Sequence, residues 1–204
     1  MIAHVALWCW FTTISLITLW SYWLAPQAPA TDWWQAVVYV LAPATTVAGG
    51  IVAVKEYGLR SLQGKIILII VLGIFSWFIG EVFWTYYELV VKTDPYPSLA
   101  DWFYLVGYVP LCIGLLWELK FLRHKVHKAL SYTLRLLLTM LAILFSGIAL
   151  YFGVWQAIKP EYSALENGVA ISYGVADIAL VLMSLTVVIV TLEMRGGKFV
   201  EPWW

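Results

Sequence analysis

Six long apolar stretches constrain this chain more than any other feature of its sequence. Each has 20 or more residues, and they cover 3–24, 33–54, 66–91, 100–119, 133–156 and 167–192. A helix needs about 20 consecutive apolar residues to cross the hydrocarbon core of a bilayer. Within lipid, the backbone must also satisfy its own hydrogen bonds, which favours helices. We therefore predict an all-α fold: a polytopic membrane bundle of about six transmembrane helices, arranged as three hairpins in a single integral-membrane domain over 1–204.

Composition supports the membrane prediction. Hydrophobic residues make up 63% of the chain and charged residues only 12%, against about 25% charged residues in soluble domains. We expect the lipid bilayer as the main partner and a multi-pass location in the cell (plasma) membrane. The formal net charge of zero gives no reason to expect a nucleic acid partner. Cys9 and Cys112 both fall inside apolar runs, where cysteine behaves as a small hydrophobic residue.

Basic residues predict the orientation, because lysine and arginine accumulate in cytoplasmic loops during insertion. Ten of the twelve basic residues fall on one side of the predicted bundle: Lys55, Arg60, Lys65, Lys120, Arg123, Lys125, Lys128, Arg135, Arg195 and Lys198. Only Lys92 and Lys159 fall on the other side. With an even number of spans, both termini are predicted in the cytoplasm (N-in/C-in).

A weak internal repeat is consistent with three stacked hairpins. Each even-numbered span opens with an acid and has a tyrosine seven residues later: Asp32 with Tyr39, Asp101 with Tyr108, and Glu166 with Tyr173. Seven residues is about two helical turns, so each acid shares a face with its tyrosine. Tyrosine is common in this chain, so coincidence is an alternative explanation of the pattern.

The third span has two acids on one face. Trp77, Glu81, Trp84 and Glu88 follow a spacing of four, three and four, which aligns them along one side of a helix. A carboxylate near mid-membrane costs at least roughly 2.5 kcal/mol, so it normally faces the bundle interior or a wet cavity. Two interpretations of Glu81 are open: a structural carboxyl bonded to a neighbouring helix, or a ligand or proton site.

The segment after the third span is predicted to be rigid. Pro95 and Pro97 restrict its backbone, and Ser98 with Asp101 has the spacing of a capping box at the start of the fourth span. This rigidity serves a tight helix connection, and it would also hold Asp101 and Tyr104 near the face that carries Glu88.

Asp177, in the sixth span, is predicted near the membrane centre and is the most deeply placed acid that the sequence indicates. Such a carboxyl must be protonated, paired or hydrated. No lysine or arginine lies at that depth, so the default is a carboxyl bonded to tyrosine or serine. A role in sensing or carrying a proton is the alternative. Nearby aromatic side chains either line a pocket for a flat ligand or simply pack: Trp77, Trp84, Tyr104, Tyr108, Tyr151 and Tyr173.

Several catalytic chemistries lack their residues in this sequence. His124 and His127 lie in the predicted basic loop, and only His4 is next to the membrane, so paired histidine ligation of an intramembrane haem is not provided. The sequence has no zinc-protease, phosphate-loop or serine-hydrolase motif. We predict a protein that is not an enzyme, with no catalytic and no metal-binding residues, and the cofactor stays unknown.

Two segments carry a family resemblance: Gly80-Glu81-x-x-Trp84-x-x-Tyr87-Glu88 and Pro95-Tyr-Pro-Ser-Leu-Ala-Asp101-x-Phe-Tyr-Leu-x-Gly-Tyr108. They resemble a poorly characterised prokaryotic integral-membrane sensor-type domain, found at the N-termini of some histidine kinases and diguanylate cyclases and also as free-standing proteins. The resemblance covers roughly 73–119. It implies an input module for signal transduction, but brings no established ligand. The segment after Arg195 is too short for a kinase or cyclase, so we expect either that the chain is shortened or that a partner protein supplies the output.

The leading functional hypothesis is a membrane-embedded sensor or ligand-binding module with an acidic and aromatic site in the outer half of the bundle. Its predicted ligand-binding residues are Glu81, Trp84, Glu88, Asp101, Tyr104, Tyr108, Tyr173 and Asp177. One alternative is a small, proton-coupled transporter; another is an accessory subunit of a larger membrane complex. Partners consistent with these hypotheses are a second membrane protein, a cytoplasmic output protein or another copy of the chain.

Overall fold

A computed structural model describes residues 15–19, 29–93, 96–129, 132–156 and 158–193, and all regular structure within them is helical. Residues 15–19, here α1, are the described part of the first predicted span. The longer helices are α2 (Pro29–Tyr57), α3 (Leu62–Tyr86), α4 (Leu99–Ala129), α5 (Tyr132–Ala149) and α6 (Ala164–Glu193). Two of them continue as π-helices, α3 through π1 (Tyr87–Val91) and α5 through π2 (Leu150–Trp155).

Four helical stretches are long and apolar enough to cross a membrane: Trp33–Tyr57, Leu62–Val91, Leu99–Leu122 and Ala164–Val188. They coincide with the second, third, fourth and sixth predicted spans. A shorter apolar helix, Thr139–Trp155, lies within the fifth. Most of the first predicted span, 3–24, lies outside the described residues. The described fold is therefore compatible with a membrane helix bundle.

The boundary of α4 differs from its prediction. We expected a loop from Lys120 to Tyr132, but α4 continues to Ala129. The stretch 120–129 contains neither glycine nor proline and is rich in residues with good helix propensity. The basic residues of this stretch carry no information about where the helix stops. The predicted loop is wrong over most of its length.

A tight turn joins α2 to α3. Gly58 has a φ of 74°, a left-handed conformation that is usual for the glycine just after a helix. Its amide donates to the carbonyl of Val54 at 2.9 Å. Ser61 then caps α3, because its Oγ accepts from the amide of Gly64 at 2.9 Å.

Helices α3 and α4 pack antiparallel with close backbones. A Cβ added at Gly107 would lie 2.9 Å from the carbonyl oxygen of Gly73, and one added at Gly73 would lie 2.8 Å from that of Gly107. Small residues let membrane helices approach this closely. Two side chains of α3 also bond to α4: Ser76 Oγ donates to the Phe103 carbonyl at 2.7 Å and Trp77 Nε1 to the Tyr104 carbonyl at 2.9 Å.

Helix α6 packs parallel to α4, and residues of the two helices that contact each other are about 70 positions apart in the sequence. Leu115 and Leu122 of α4 form a buried cluster with Val187 of α6. On its other side, α6 contacts π2, where Gly153 lies against Gly174. Helix α6 is thus held between α4 and the end of α5.

Candidate functional site

Three carboxyl groups on α3, α4 and α6 each pair with a tyrosine from a different helix. The pairs are Glu81 of α3 with Tyr104 of α4, Asp101 of α4 with Tyr173 of α6, and Asp177 of α6 with Tyr108 of α4. Tyr173 donates to Asp101 Oδ1 at 2.8 Å, and Tyr108 donates to Asp177 Oδ1. Each pair satisfies part of the hydrogen-bonding capacity of an acid without a lysine or arginine.

The three tyrosines form one continuous cluster. The ring of Tyr173 lies between the rings of Tyr104 and Tyr108, at centroid distances of 6.4 and 6.3 Å with edge-to-face geometry. Trp77 extends the stack, because its ring lies 5.1 Å from that of Tyr108. Such edge-to-face contacts are favourable beyond the area they bury. We call the six paired side chains together with Trp77 the tyrosine–carboxyl cluster.

Asp101 is the most buried acid of this cluster and is only 4% exposed. Its Oδ2 accepts from the amide of Ser98 at 2.6 Å and from Ser98 Oγ at 3.0 Å, while Ser98 Oγ accepts from the amide of Ala100 at 3.1 Å. The predicted capping box is therefore confirmed. With Tyr173, Asp101 accepts three described hydrogen bonds. A carboxylate has about four acceptor positions, so about one remains.

The start of α6 repeats the cap of α4. Glu166 Oε2 accepts from the amide of Ser163 at 2.6 Å, and the amide of Glu166 donates to Ser163 Oγ at 3.3 Å. The acid–tyrosine repeat thus has a structural counterpart in α4 and α6, whose tyrosines, Tyr108 and Tyr173, touch each other. For the third member, Tyr39 lies exposed on α2, and the side chain of Asp32 lies outside the described residues.

Asp177 differs from its predicted environment. It bonds to a tyrosine, as expected, but it is exposed at the protein surface and borders an apolar cleft of about 230 Å³ between α5 and α6. The cleft contains Phe145, Phe152 and Val181 among its lining residues. The prediction that Asp177 is the most deeply buried acid is wrong: π2 packs on α6 at Gly174, whereas Asp177 borders the open cleft.

The most buried acid in the described part of the chain is Glu118, which the sequence analysis missed. Glu118 is 2% exposed and accepts from Gln63 Nε2 at 3.4 Å. A signal for it exists in the spacing of the buried face of α4, which alternates three and four residues: Tyr108, Leu111, Leu115, Glu118 and Leu122. The predicted fourth span, 100–119, contains Glu118, but the sequence analysis did not single it out.

Two predicted site residues lack a described hydrogen bond to the cluster, although Glu88 lies close enough to Glu81 for electrostatic repulsion. Glu88 lies in π1 and is exposed, and Trp84 is half-buried. Among the described contacts, no hydrogen bond connects either residue to the six paired side chains. Glu81 is half-buried and lies on the same helix face as both. The structure therefore brings together Glu81, Asp101, Tyr104, Tyr108, Tyr173 and Asp177 of the eight predicted residues.

A larger pocket opens between the N-terminal ends of α4 and α6. Its volume is about 620 Å³, within the usual range for small-molecule sites. The described lining consists of Pro97, Ser98, Leu99, Asp101, Trp102, Leu105, Ala164, Leu165, Gly168, Val169 and Ser172. We call it the N-terminal pocket. It shares Asp101 with the tyrosine–carboxyl cluster, so the pocket and the cluster are directly connected.

The segments before α4 and α6 close one end of this region. Tyr96 donates to the carbonyl of Glu166 at 3.1 Å, and its ring lies 6.2 Å from that of Tyr162. Burial raises the pKa of Tyr96, so its hydroxyl keeps the proton that it donates. Lys159 Nζ bonds to the hydroxyl of Tyr162 at 3.1 Å, which raises the pKa of Lys159. This cation is thus held at Tyr162.

The polar groups of the cluster and of the pocket include carboxyl and hydroxyl groups, which form hydrogen bonds. Within the described ranges, no three histidine, cysteine, aspartate or glutamate side chains converge as metal ligands. Cys112, the cysteine among the described residues, is a free thiol. Comparison of the chain with models of protein families, with curated proteins and with solved structures gave no match.

Proposed function

We propose that this chain is a multi-pass plasma-membrane sensor module that binds a small molecule in the N-terminal pocket and is not itself an enzyme. In this proposal the bundle has six spans with both termini in the cytoplasm, which places the pocket on the outer side. The resemblance of 73–119 to prokaryotic sensor-type domains supports the same role. An output protein in the cytoplasm or the same membrane would receive the signal.

The observation that carries the proposal is the position of Asp101. It lines the N-terminal pocket and accepts a hydrogen bond from Tyr173 of the tyrosine–carboxyl cluster. A molecule that approaches Asp101 from the pocket therefore acts on the bond that ties α4 to α6. Buried polar groups left without a partner are costly, so a changed bond at Asp101 alters the preferred packing of these helices.

The packing of α4 against α6 offers a route to the other side of the membrane. The two helices run parallel, and their contact continues from Tyr108 and Asp177 to the cluster of Leu122 and Val187. A ligand shifts a conformational equilibrium only by binding one packing arrangement better than the other. In the proposed mechanism, occupancy of the pocket favours one arrangement of α6 on α4, and the cytoplasmic ends report it.

Filling the pocket tests the proposal. A Cβ added at Gly168, which lines the pocket, meets nothing within 4 Å, and the same holds for Gly49 on α2. Gly168→Trp should fill the pocket, and Gly49→Trp is the matched control. Purified protein in nanodiscs is screened by thermal shift with small amphipathic molecules of positive, zero and negative charge.

We expect at least one charge class to raise the unfolding temperature of the wild type and of Gly49→Trp, but not of Gly168→Trp. If every class acts equally on all three proteins, or on none, the pocket is not a ligand site and the sensor proposal is rejected.

A proton-coupled carrier is the second candidate, favoured by the run of carboxyl and tyrosine side chains across α3, α4 and α6. Reconstitution into liposomes that contain a pH-sensitive dye distinguishes it. A carrier predicts proton flux that Glu81→Gln or Asp177→Asn abolishes. A sensor predicts no flux above that of empty liposomes.

A further inference from the structure

We propose that the N-terminal pocket selects amphipathic organic cations, in particular molecules with an ammonium head and an apolar body, over anions of the same shape. This inference rests on the proposed ligand-binding role of the pocket and adds the chemical class of the ligand. It is argued from the charges, free acceptor positions and aromatic surface of the described lining.

The charge of the lining is the first argument. Asp101 is the single ionisable side chain among the described lining residues, and they include no lysine or arginine. Lys159, a cation in the connection between α5 and α6, is engaged by Tyr162 through a hydrogen bond and through its ring at 4.8 Å. A ligand cation would therefore supply a counter-charge that Asp101 lacks within the described structure.

At the starts of α4 and α6, where helix ends often attract anions, some of the amides are already bound by the caps. Free amides at a helix N-terminus attract negative groups. At α4, however, Ser98 and Asp101 accept from the first amides, and at α6 Ser163 and Glu166 do the same. The two caps add two carboxylates to this end of the bundle. The local field thus favours a positive group.

Asp101 also has geometry suited to a donor. Its three described hydrogen bonds come from Ser98 and Tyr173, which leaves about one acceptor position of a carboxylate. An ammonium group carries only donors and forms stronger hydrogen bonds with a charged acceptor than a neutral donor does. A carboxylate ligand offers acceptors alone and would repel Asp101.

The rest of the pocket suits the apolar body of such a ligand. Leu99, Leu105, Leu165 and Val169 supply apolar surface, and Trp102, which is 70% exposed, presents an indole at the pocket. Indole is the best aromatic partner for a cation held over its face. The pocket therefore combines one anionic group, one indole and an aliphatic wall.

A series of three ligands with one apolar body tests the inference: phenylbutylamine, phenylbutanol and phenylbutyrate. Saturable binding to the purified chain in nanodiscs is measured by calorimetry, with binding to empty nanodiscs subtracted. The variants are Asp101→Asn, which keeps a capping side chain but removes the charge, Trp102→Leu, and Gly168→Trp. Gly49→Trp serves as the matched control.

We expect the amine to bind at least about tenfold more tightly than the carboxylate, a difference of about 1.4 kcal/mol, with the alcohol between them. Asp101→Asn should reduce this preference to about twofold, Trp102→Leu should weaken the amine severalfold, and Gly168→Trp should abolish binding. If Asp101→Asn does not fold, two other results decide the inference. The effect of Trp102→Leu on amine binding tests the role of the indole, and the ranking of the three ligands on the wild type tests the preference for a cation.

Other outcomes separate this inference from the proposed function. Cation selection is rejected if all three ligands bind equally or if phenylbutyrate binds more tightly than the amine. If Gly168→Trp still abolishes that binding, the pocket is retained as a ligand site. Amine binding that Gly168→Trp leaves unchanged takes place elsewhere and rejects the inference. No saturable binding of any of the three ligands also rejects it, while the broader screen in thermal shift tests the pocket itself.

Discussion

At the scale of single residues, tyrosine hydroxyls are the partners of the carboxyl groups, a role that basic side chains have in many membrane proteins. Glu81, Asp101 and Asp177 lie in membrane-length helices, and each has a tyrosine partner from another helix. A tyrosine brings a donor without a second charge to desolvate, and its ring packs in the apolar interior. The acids are thereby satisfied in part while they keep acceptor positions for another group.

Removal of the Tyr173 hydroxyl tests the value of one such pair. Tyr173→Phe keeps the ring contacts with Tyr104 and Tyr108 but deletes the donor to buried Asp101. We expect a loss of about 1–3 kcal/mol in the free energy of unfolding, because a buried acceptor loses a partner. Reversible unfolding in mixed micelles measures it. Tyr86→Phe, on an exposed side chain of α3, should change stability little, and equal effects of the two variants would contradict this account.

The caps of α4 and α6 make a second residue-scale prediction. Ser163→Ala removes the oxygen that accepts from the amide of Glu166, so the first turn of α6 should open more often. The expected cost is about 0.5–2 kcal/mol. Hydrogen exchange, measured peptide by peptide, should accelerate at 164–168 and stay unchanged at 62–66. Unchanged exchange at the start of α6 would show that Ser163 does not stabilise the helix there.

At the scale of helices, close glycine contacts decide which faces meet. Gly73 and Gly107 set the crossing of α3 and α4, and Gly153 and Gly174 set that of π2 and α6. Both places where π2 and π1 continue a helix lie at the same end of the bundle. π-Helices occur often at functional sites, and here π2 places Gly153 against Gly174, the residue that follows Tyr173.

Gly107→Ala tests the role of the α3–α4 contact. The new Cβ would lie 2.5 Å from Trp77 Cδ1 and 2.9 Å from the Gly73 carbonyl oxygen, so the helices must separate. Overpacking of this kind costs about 1–3 kcal/mol, which should appear as a lower unfolding temperature. Gly49→Ala has open space around the same change and should be neutral or slightly stabilising. A Gly107→Ala protein as stable as Gly49→Ala would rule out close packing at this crossing.

The sequence predicted local features of the site better than contacts between helices. The capping box of Ser98 and Asp101 depends on three residues of spacing and was confirmed. The lack of basic residues at the depth of Asp177 predicted that this carboxyl would bond to a tyrosine or serine. The sequence did not predict which one, because the register of α6 on α4 depends on how Tyr173 and Gly174 pack. Glu118 was missed, although it lies in the predicted fourth span and its heptad-like spacing places it on the buried face of α4.

At the scale of the whole molecule, the orientation in the membrane is the prediction on which the outer location of the pocket depends. It is tested in a background of Cys9→Ser and Cys112→Ser with single added cysteines. Leu59→Cys and Ile158→Cys both introduce a thiol at an exposed position in a helix connection. A membrane-impermeant maleimide should label Ile158→Cys in intact cells and Leu59→Cys only after permeabilisation. The reverse labelling pattern would show that the bundle has the opposite orientation in the membrane.

The N-terminal pocket is open between the first turns of α4 and α6, and the two helices pack against each other over the residues that follow. An experimental density map of the chain, purified from its native membranes without added ligand, tests this most directly. The account predicts density that belongs to no protein atom in the pocket, in contact with Asp101 and Trp102. A map in which protein side chains fill the space between Leu105 and Ser172 and leave no cavity would contradict it.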